Sequence, residues 1–200
     1  MRKIITNFDI PMLGNQLTKD ELIVTLAFLL RGNYYLTKAY ISLKSCRNFK
    51  HAVSVLSKAC TNLGIPLSNL PCDKDEKRFY SWGQELKSVL AKQKLLPTRY
   101  TWKNMLRIPE QWIGQIDKSI LIDLLEFIFC VLKSRDAAVK QTACQTRDRY
   151  ELNRTLTELF KPIAPDIKIE YISDLKCACI LGVDEKLINS LRNDYISDLL

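Results

Sequence analysis

Apolar residues recur every three to four positions along most of the chain, the spacing that places side chains on one face of an α-helix. In the first half, this pattern predicts helices over 19–31, 34–46, 48–63 and 73–96. In the second half, it predicts a short helix or turn over 101–107 and helices over 117–133, 135–161, 173–181 and 184–200. Only 167–172, IKIEYI, is predicted as a short strand or an extended connector. The expected fold class is therefore all-α, a multi-helix bundle of about eight helices in one domain spanning residues 1–200.

Several predicted helix ends carry capping signals. Thr18 and Glu21 have the spacing of a capping box, in which each side chain satisfies a free backbone amide at the start of a helix. Asn48 is placed to cap the third helix and Asp73 the fourth. Gly64 follows the third apolar stripe and is expected to end that helix.

The segment 117–133, DKSILIDLLEFIFCVLK, is apolar nearly all round, and only Asp123 and Glu126 interrupt its apolar residues. A helix of this composition has to be covered on most sides. Two interpretations are open, a central, very apolar core helix or a subunit interface in a homo-oligomer. We expect Asp123 and Glu126 to form salt bridges with another helix rather than to bind a metal ion.

The bulk composition, 47% hydrophobic and 26% charged residues, is typical of a folded globular protein. Six glycines and seven prolines are too few for the frequent turns of an all-β fold. The first residues, MRKIITNFDIPMLG, contain no apolar run of signal-peptide length, and no later stretch reaches the roughly 18 residues of a membrane span. The sequence therefore predicts a soluble, intracellular, cytoplasmic protein with no membrane partner.

Seven cysteines and one histidine limit the chemistry of the chain. An odd number of cysteines at helical spacing is typical of a reducing compartment, and no paired ligand spacing for zinc is present. None of the common nucleotide-binding or hydrolase motifs occurs, although a pair of His51 with Cys46 or Cys60 stays open. We expect no enzyme activity, no cofactor and no metal.

Charge is distributed unevenly along the chain. Residues 22–72 contain no Asp or Glu. Residues 22–107 carry 15 Lys and Arg against 4 Asp and Glu, a net charge of +11, whereas residues 108–200 carry 12 against 15, a net charge of −3. A basic half of this kind attracts polyanions, and the first partner it indicates is nucleic acid.

The basic residues of the first half lack acidic neighbours in sequence that would neutralise them. Either acids of the second half pair with them, or they bind a ligand, and we favour the ligand. Lys44, Arg47 and His51 would share one face if a helix continued through Asn48. The candidate nucleic-acid-binding residues are Arg31, Lys38, Lys44, Arg47, Lys50, His51, Lys58, Lys74, Lys77 and Arg78.

A second set of basic residues recurs every seven positions in the predicted helix 135–161. These residues are Lys140, Arg147, Arg154 and Lys161. Asp136 lies four residues before Lys140, Glu151 four after Arg147 and Glu158 four after Arg154. Because residues four apart are neighbours on a helix surface, we interpret this face as self-neutralised rather than as a binding site.

Few aromatic residues in the basic half are predicted to be free for stacking on bases. Tyr34, Tyr35 and Tyr80 are the exceptions, since most of the others fit the apolar faces of their helices. With no motif of a base-reading module, recognition of the backbone and shape of a duplex is favoured.

The stretch Ser134-Arg-Asp-Ala-Ala-Val-Lys140, the long helix with Leu156, Leu159 and Phe160, and the segment 171–175 carry a family resemblance. In these features the chain resembles the RNA-silencing suppressors of plant closteroviruses and criniviruses. The resemblance implies a helical viral protein of the host-cell cytoplasm that assembles into oligomers. It also implies binding of double-stranded RNA, which is withheld from the host silencing machinery.

Two functions follow as hypotheses. The first is an RNA-binding protein that sequesters double-stranded RNA through backbone contacts and suppresses host RNA silencing, with a homo-oligomer formed through 117–133. The alternative is a non-enzymatic helical adaptor protein whose basic surface docks an acidic protein.

Overall fold

The computed structural model describes residues 18–35, 38–44, 46–65, 76–81, 85–92, 107–109, 112–132, 150–172 and 177–198. These residues are mostly helical. Their helices are α1 (Lys19–Arg31), α2 (Phe49–Asn62), α3 (Glu85–Lys92), α4 (Lys118–Val131), α5 (Tyr150–Phe160) and α6 (Glu185–Ser197). Their strands are β1 (Gly32–Tyr35), β2 (Lys38–Lys44), β3 (Glu76–Ser81), β4 (Lys168–Ile172) and β5 (Cys177–Leu181).

The predicted all-α bundle of about eight helices is therefore only partly right. Six helices are present in the described residues, and five strands accompany them. β1, β2 and β3 form an antiparallel sheet in that order, and β4 and β5 form an antiparallel pair. Within the described part of the chain, no helix is both long and apolar enough to cross a membrane.

The segment predicted as the second helix, 34–46, is instead the hairpin of β1 and β2. Ile41 and Leu43 are both buried, and residues two apart share a face in a strand but not in a helix. Ala39 and Leu43 fit either period, which explains the wrong prediction.

Two further helix predictions are corrected to strands. The start of the predicted helix 73–96 contains β3, which pairs along β2 with Phe79 opposite Ile41. Its later part is confirmed as α3, where Leu86, Val89 and Leu90 are buried. The end of the predicted helix 173–181 is β5, whereas the predicted strand at 167–172 is confirmed as β4.

The turn after β5 requires a glycine. Gly182 has φ +73°, and a Cβ at this position would overlap the backbone carbonyl of Asp166. Any other residue would have to move the end of the β4–β5 pair, because the conflicting atom belongs to the backbone.

Several predicted helix ends are confirmed with their caps. The backbone amide of Glu21 donates to the Thr18 hydroxyl at 3.2 Å, and the Thr18 amide donates to the Glu21 carboxylate at 2.9 Å. The side-chain oxygen of Asn48 accepts a hydrogen bond from the His51 amide at 3.2 Å, which starts α2. α2 ends at Asn62, and Gly64 has φ +66°.

The core lies around α1 rather than around a very apolar α4. In α1, every residue from Glu21 to Arg31 is buried, and α1 packs against α2, α3, α4, β1 and β2. α4 buries nine residues but keeps Asp123 and Glu126 partly exposed. The apolar residues of α4 therefore belong to the core, whereas a subunit interface through 117–133 stays a prediction.

α5 packs on β4 and is joined to two neighbouring segments by hydroxyl contacts. The Ile108 amide donates to the Thr155 hydroxyl at 2.9 Å, and the Ile169 amide donates to the Thr157 hydroxyl at 3.1 Å. Leu152, with three other apolar residues of α5, belongs to the common core. One face of α5 is therefore committed to packing, and the opposite face carries its charges.

Candidate nucleic-acid interface

The basic residues singled out from the sequence lie on four different elements. Arg31 ends α1, Lys38 and Lys44 belong to β2, and Lys77 and Arg78 belong to β3. Arg47, Lys50, His51 and Lys58 lie at the start of α2 or within it, and Lys74 lies outside the described residues.

Arg31 is directed to the interior of the protein. It is only 8% exposed, and its guanidinium donates to the Val131 carbonyl at 2.8 Å. A cation is favoured at this place because the last carbonyls of α4 form the negative end of the helix dipole. A phosphate could not reach Arg31 without opening the core.

The basic residues of β2 and β3 are placed by the register of the sheet. Lys44 pairs with Glu76, and Ser42 pairs with Arg78. Since strand positions alternate between faces, positions 38, 42 and 44 lie on the opposite sheet face from the buried Ile41 and Leu43. Position 78 shares that outer face, whereas Lys77 pairs with Leu43 on the core face.

A row of exposed residues follows the outer side of α2. We call it the α2 ridge, and its members are Arg47, Lys50, Ser54 and Lys58. The spacing of four residues places Lys50, Ser54 and Lys58 on one helix face, and Arg47 lies in the turn just before α2. α2 contains no Asp or Glu, and neither Lys50 nor Lys58 forms an ion pair with any described residue. The ridge therefore combines exposure with uncompensated positive charge.

The predicted common face of Lys44, Arg47 and His51 does not exist. α2 starts at Phe49 after the Asn48 cap, so Lys44 lies on a strand and Arg47 in the turn between them. Lys50, Ser54 and Lys58 instead share one face of α2, and Arg47 precedes that face in the turn. This spacing of four residues is readable from the sequence, once α2 is known to begin after Asn48.

An open groove of about 480 Å³ borders the ridge where α2, α4 and α6 meet. We call it the α2–α4–α6 groove. Its lining residues are Arg47, Asn48, His51, Glu126, Phe129, Cys130, Glu185, Ile188 and Asn189. The guanidinium carbon of Arg47 lies 4.0 Å from the centre of the Phe129 ring, which is a cation–π contact. Arg47 thus belongs both to the ridge and to the rim of the groove.

Two acids on the exposed side of α4 are held by basic residues of other helices. Arg192 of α6 contacts Glu126 and lies 3.1 Å from Asp123, which also accepts a hydrogen bond from Lys19 of α1. The prediction that these acids form salt bridges with another helix is confirmed. His51 Nε2 lies 3.8 Å from Glu126 Oε1, so one of the basic candidates faces an acid of the second half.

Two cysteines near this region have thiols that stay protonated. Burial, with a further contribution from Glu126, raises the pKa of Cys130 to about 11. Burial, followed by the charge of Asp20, raises the pKa of Cys60 to about 12. A nucleophilic cysteine needs the opposite shift, because the thiolate is the reactive form. The open pairing of Cys60 with His51 therefore loses its support.

Two cations of the second basic set, Arg154 and Lys161, are paired with acids of α5. Arg154 lies 2.9 Å from Glu151, and Lys161 lies 2.8 Å from Glu158. The predicted self-neutralised face is confirmed for these two cations, although each acid lies three residues before its partner rather than four away. Lys140, Arg147 and Asp136 lie outside the described residues.

The aromatic candidates for stacking lie in the sheet. Tyr34 and Tyr35 belong to β1 and Tyr80 to β3, where the structure describes their backbone only. The contact of Arg47 with Phe129 is not predictable from the sequence pattern, because it joins two distant segments.

In the part of the chain that the structure describes, no group of three or more His, Cys, Asp or Glu residues could hold a metal ion. No protein-family model matches the chain, and no curated protein is significantly similar to it.

Proposed function

We propose that this protein binds double-stranded RNA through its backbone phosphates, with the α2 ridge as the central contact. The observation that carries the proposal is the pair Lys50 and Lys58, exposed on a helix that contains no acidic residue and paired with no described acid. Uncompensated cations on one surface repel each other, and a polyanion relieves that repulsion.

The geometry of the ridge suits a regular, charged ligand. Lys50 and Lys58 are eight residues apart, which is about 12 Å along a helix axis with a rise of 1.5 Å per residue. A rigid helix holds both ammonium groups at a defined separation, and Ser54 between them offers a hydroxyl to a phosphate oxygen. A contact of this kind recognises backbone rather than base sequence.

Basic positions of the neighbouring sheet extend the proposed interface. The outer-face positions of Lys38, Lys44 and Arg78 follow from the strand register. Arg31 is left out of the interface because it is buried. His51 contributes less than the ridge residues because it faces Glu126.

The biological role that fits duplex binding of this kind is sequestration. The resemblance to silencing suppressors supports a viral protein that withholds double-stranded RNA from host silencing in the cytoplasm, as a homo-oligomer. Nine apolar residues of α4 are buried within one chain, so the exposed residues of this helix would have to form any subunit contact through it.

The test is fluorescence anisotropy with double-stranded RNA, single-stranded RNA and double-stranded DNA over a salt series. The ridge variant combines Lys50→Ala and Lys58→Ala. The matched control variant combines Arg154→Ala and Lys161→Ala. Both remove two charges, but the second removes cations that already have acidic partners. We expect the ridge variant to lose about tenfold or more in duplex affinity and to lower the salt slope by up to about 0.9 for each lost phosphate contact.

Absence of binding to all three nucleic acids at low salt would reject the proposal. The adaptor hypothesis would then be tested by pull-down with an acidic protein, using the same two double variants. Equal losses in the two variants would also contradict the ridge, because total charge rather than position would then govern binding.

A further inference from the structure

We propose that the α2–α4–α6 groove binds one unpaired nucleobase that carries an exocyclic amino group, next to a duplex held on the α2 ridge. This inference rests on the proposed RNA binding and adds a second recognition element to it. The groove would therefore favour duplexes with single-stranded ends that contain cytosine, adenine or guanine over ends that contain only uracil.

The groove has the size and the position for such a ligand. Its volume of about 480 Å³ lies within the range of about 300–1,000 Å³ that is usual for sites of small organic groups. Arg47 belongs to both the ridge and the groove rim, so a nucleotide at a duplex end is adjacent to the groove when the backbone lies on the ridge.

Arg47 and Phe129 together offer a surface at the groove rim on which a base can stack. The Arg47 guanidinium lies over the Phe129 ring at 4.0 Å, and Arg47 is exposed. A guanidinium plane is a common stacking surface for unstacked RNA bases. The buried ring beneath Arg47 holds that plane in place, which lowers the entropy lost when a base stacks on it.

The two carboxylates of the groove favour an amino group over a phosphate. Two carboxylates, Glu126 and Glu185, face the groove, and carboxylates repel a phosphate. Glu126 is engaged by Arg192, whereas Glu185 forms no ion pair with any described residue. A carboxylate accepts a hydrogen bond from an exocyclic amino group. Uracil offers only its N3–H, which is flanked by two carbonyl oxygens that the carboxylate repels. Asn189, one turn further along α6, adds an amide that both donates and accepts.

The experiment uses the full chain and one RNA duplex in three forms. These are a blunt duplex, the same duplex with three-nucleotide 3′ ends of cytosine, and the same duplex with three-nucleotide 3′ ends of uracil. Anisotropy is measured for the unchanged protein, for Glu185→Gln and for Asp166→Asn, an exposed control outside the groove that changes the net charge equally.

We expect the unchanged protein and the Asp166→Asn control to prefer cytosine ends over uracil ends by about tenfold, the order of one well-placed pair of hydrogen bonds. Glu185→Gln should bring the preference close to one, because an amide also donates to uracil carbonyls. Simple electrostatics predicts only a small, uniform gain of affinity for both charge-changing variants, so it cannot produce this pattern.

The outcomes separate the two proposals. Binding of the blunt duplex with equal affinity for cytosine and uracil ends overturns the groove and leaves the ridge intact. A preference that survives Glu185→Gln also overturns it. Failure to bind the blunt duplex rejects the ridge itself, and with it the inference that rests on it.

Discussion

α2 and α5 are alike in the apolar faces that they bury and differ in the charges of their exposed faces. Each buries an apolar face in the same core, through residues such as Leu56 in α2 and Leu156 in α5. Each carries cations on its exposed side. Arg154 in α5 and Lys161 directly after it each have an acid three residues before them, whereas α2 has no acid at all.

The difference shows that the number of basic residues on a helix does not define a binding surface. Paired charges at three-residue spacing stabilise a helix by a few tenths of a kcal/mol and leave little field for a ligand. Unpaired charges stabilise nothing in the free protein, and their field extends over a Debye length of about 8–10 Å. A polyanion is therefore expected to bind where basic residues have no acidic partners.

The largest expected effect is a loss of stability, which should be similar for the buried faces of α2 and α5. Leu56→Ala and Leu156→Ala each remove a fully buried side chain, and each should lower the free energy of unfolding by about 2–5 kcal/mol. Urea denaturation measures both. At a temperature where the variants stay folded, neither should change duplex affinity. A loss near zero for one of them would show that the two helices are not packed alike.

The next effect is a pH dependence of stability that the buried face of α2 has and that of α5 lacks. Cys60 lies on the inner face of α2, and the described buried residues of α5 include no titratable group. Because the folded-state pKa of Cys60 is raised to about 12, its thiol stabilises the fold fully below about pH 9, and this is lost as pH rises toward 12. The expected loss is about 1.4 kcal/mol per pH unit.

Denaturation of the protein and of Cys60→Ala at pH 8 and pH 10 tests this expectation. The substitution itself costs stability at both pH values, so the informative quantity is the difference between the two slopes. We expect the shallower pH dependence in Cys60→Ala. Parallel slopes would show that the thiol ionises as freely in the folded protein as in the unfolded chain. Cys130, with a pKa raised to about 11, keeps a smaller part of the alkaline sensitivity in both proteins.

A single substitution should convert the α2 ridge into a copy of the α5 face. Ser54→Glu places a carboxylate four residues after Lys50 and four before Lys58, within pairing distance of both. Duplex affinity should fall by about tenfold, because two phosphate contacts weaken together. The control is Gln115→Glu, an exposed change of the same charge in the turn before α4. Similar losses in both variants would contradict a localised interface.

The smallest effect is the reverse conversion. Glu151→Gln with Glu158→Gln removes the acidic partners beside Arg154 and Lys161, and duplex affinity should rise by about threefold at low salt. A control with Asp166→Asn and Glu170→Gln removes the same charge elsewhere, and the comparison is made by anisotropy.

A gain in the control as large as in the α5 variant would mean that net charge, rather than local compensation, governs binding. No gain in either would show that the α5 face does not reach the duplex.

The parts of the fold that depend on neighbouring residues could be predicted from the sequence. The cap of Thr18 and Glu21 and the start of α2 at Asn48 rest on contacts over three residues. The sheet could not, because β2 needs β3, more than thirty residues later, as its partner. The local pattern of 34–46 fits a helix equally well, and only the distant pairing decides.

The candidate site also has features that the sequence predicts and features that it does not. The exposure of Lys50 and Lys58 follows from the amphipathic pattern of α2 and was predictable. The burial of Arg31 was not, because its partner carbonyl at Val131 is 100 residues away. The α2–α4–α6 groove has no signal in the sequence at all, since three separate helices contribute its walls.

Asn48 joins the ridge to the core through a second contact. Its side chain caps α2, and its backbone amide donates to the Cys130 carbonyl at the end of α4, at 3.1 Å. That amide hydrogen can exchange with solvent deuterium only when α2 separates from α4. Its exchange rate therefore reports how often the start of α2 separates from α4. A ligand that binds Arg47 should lower that rate.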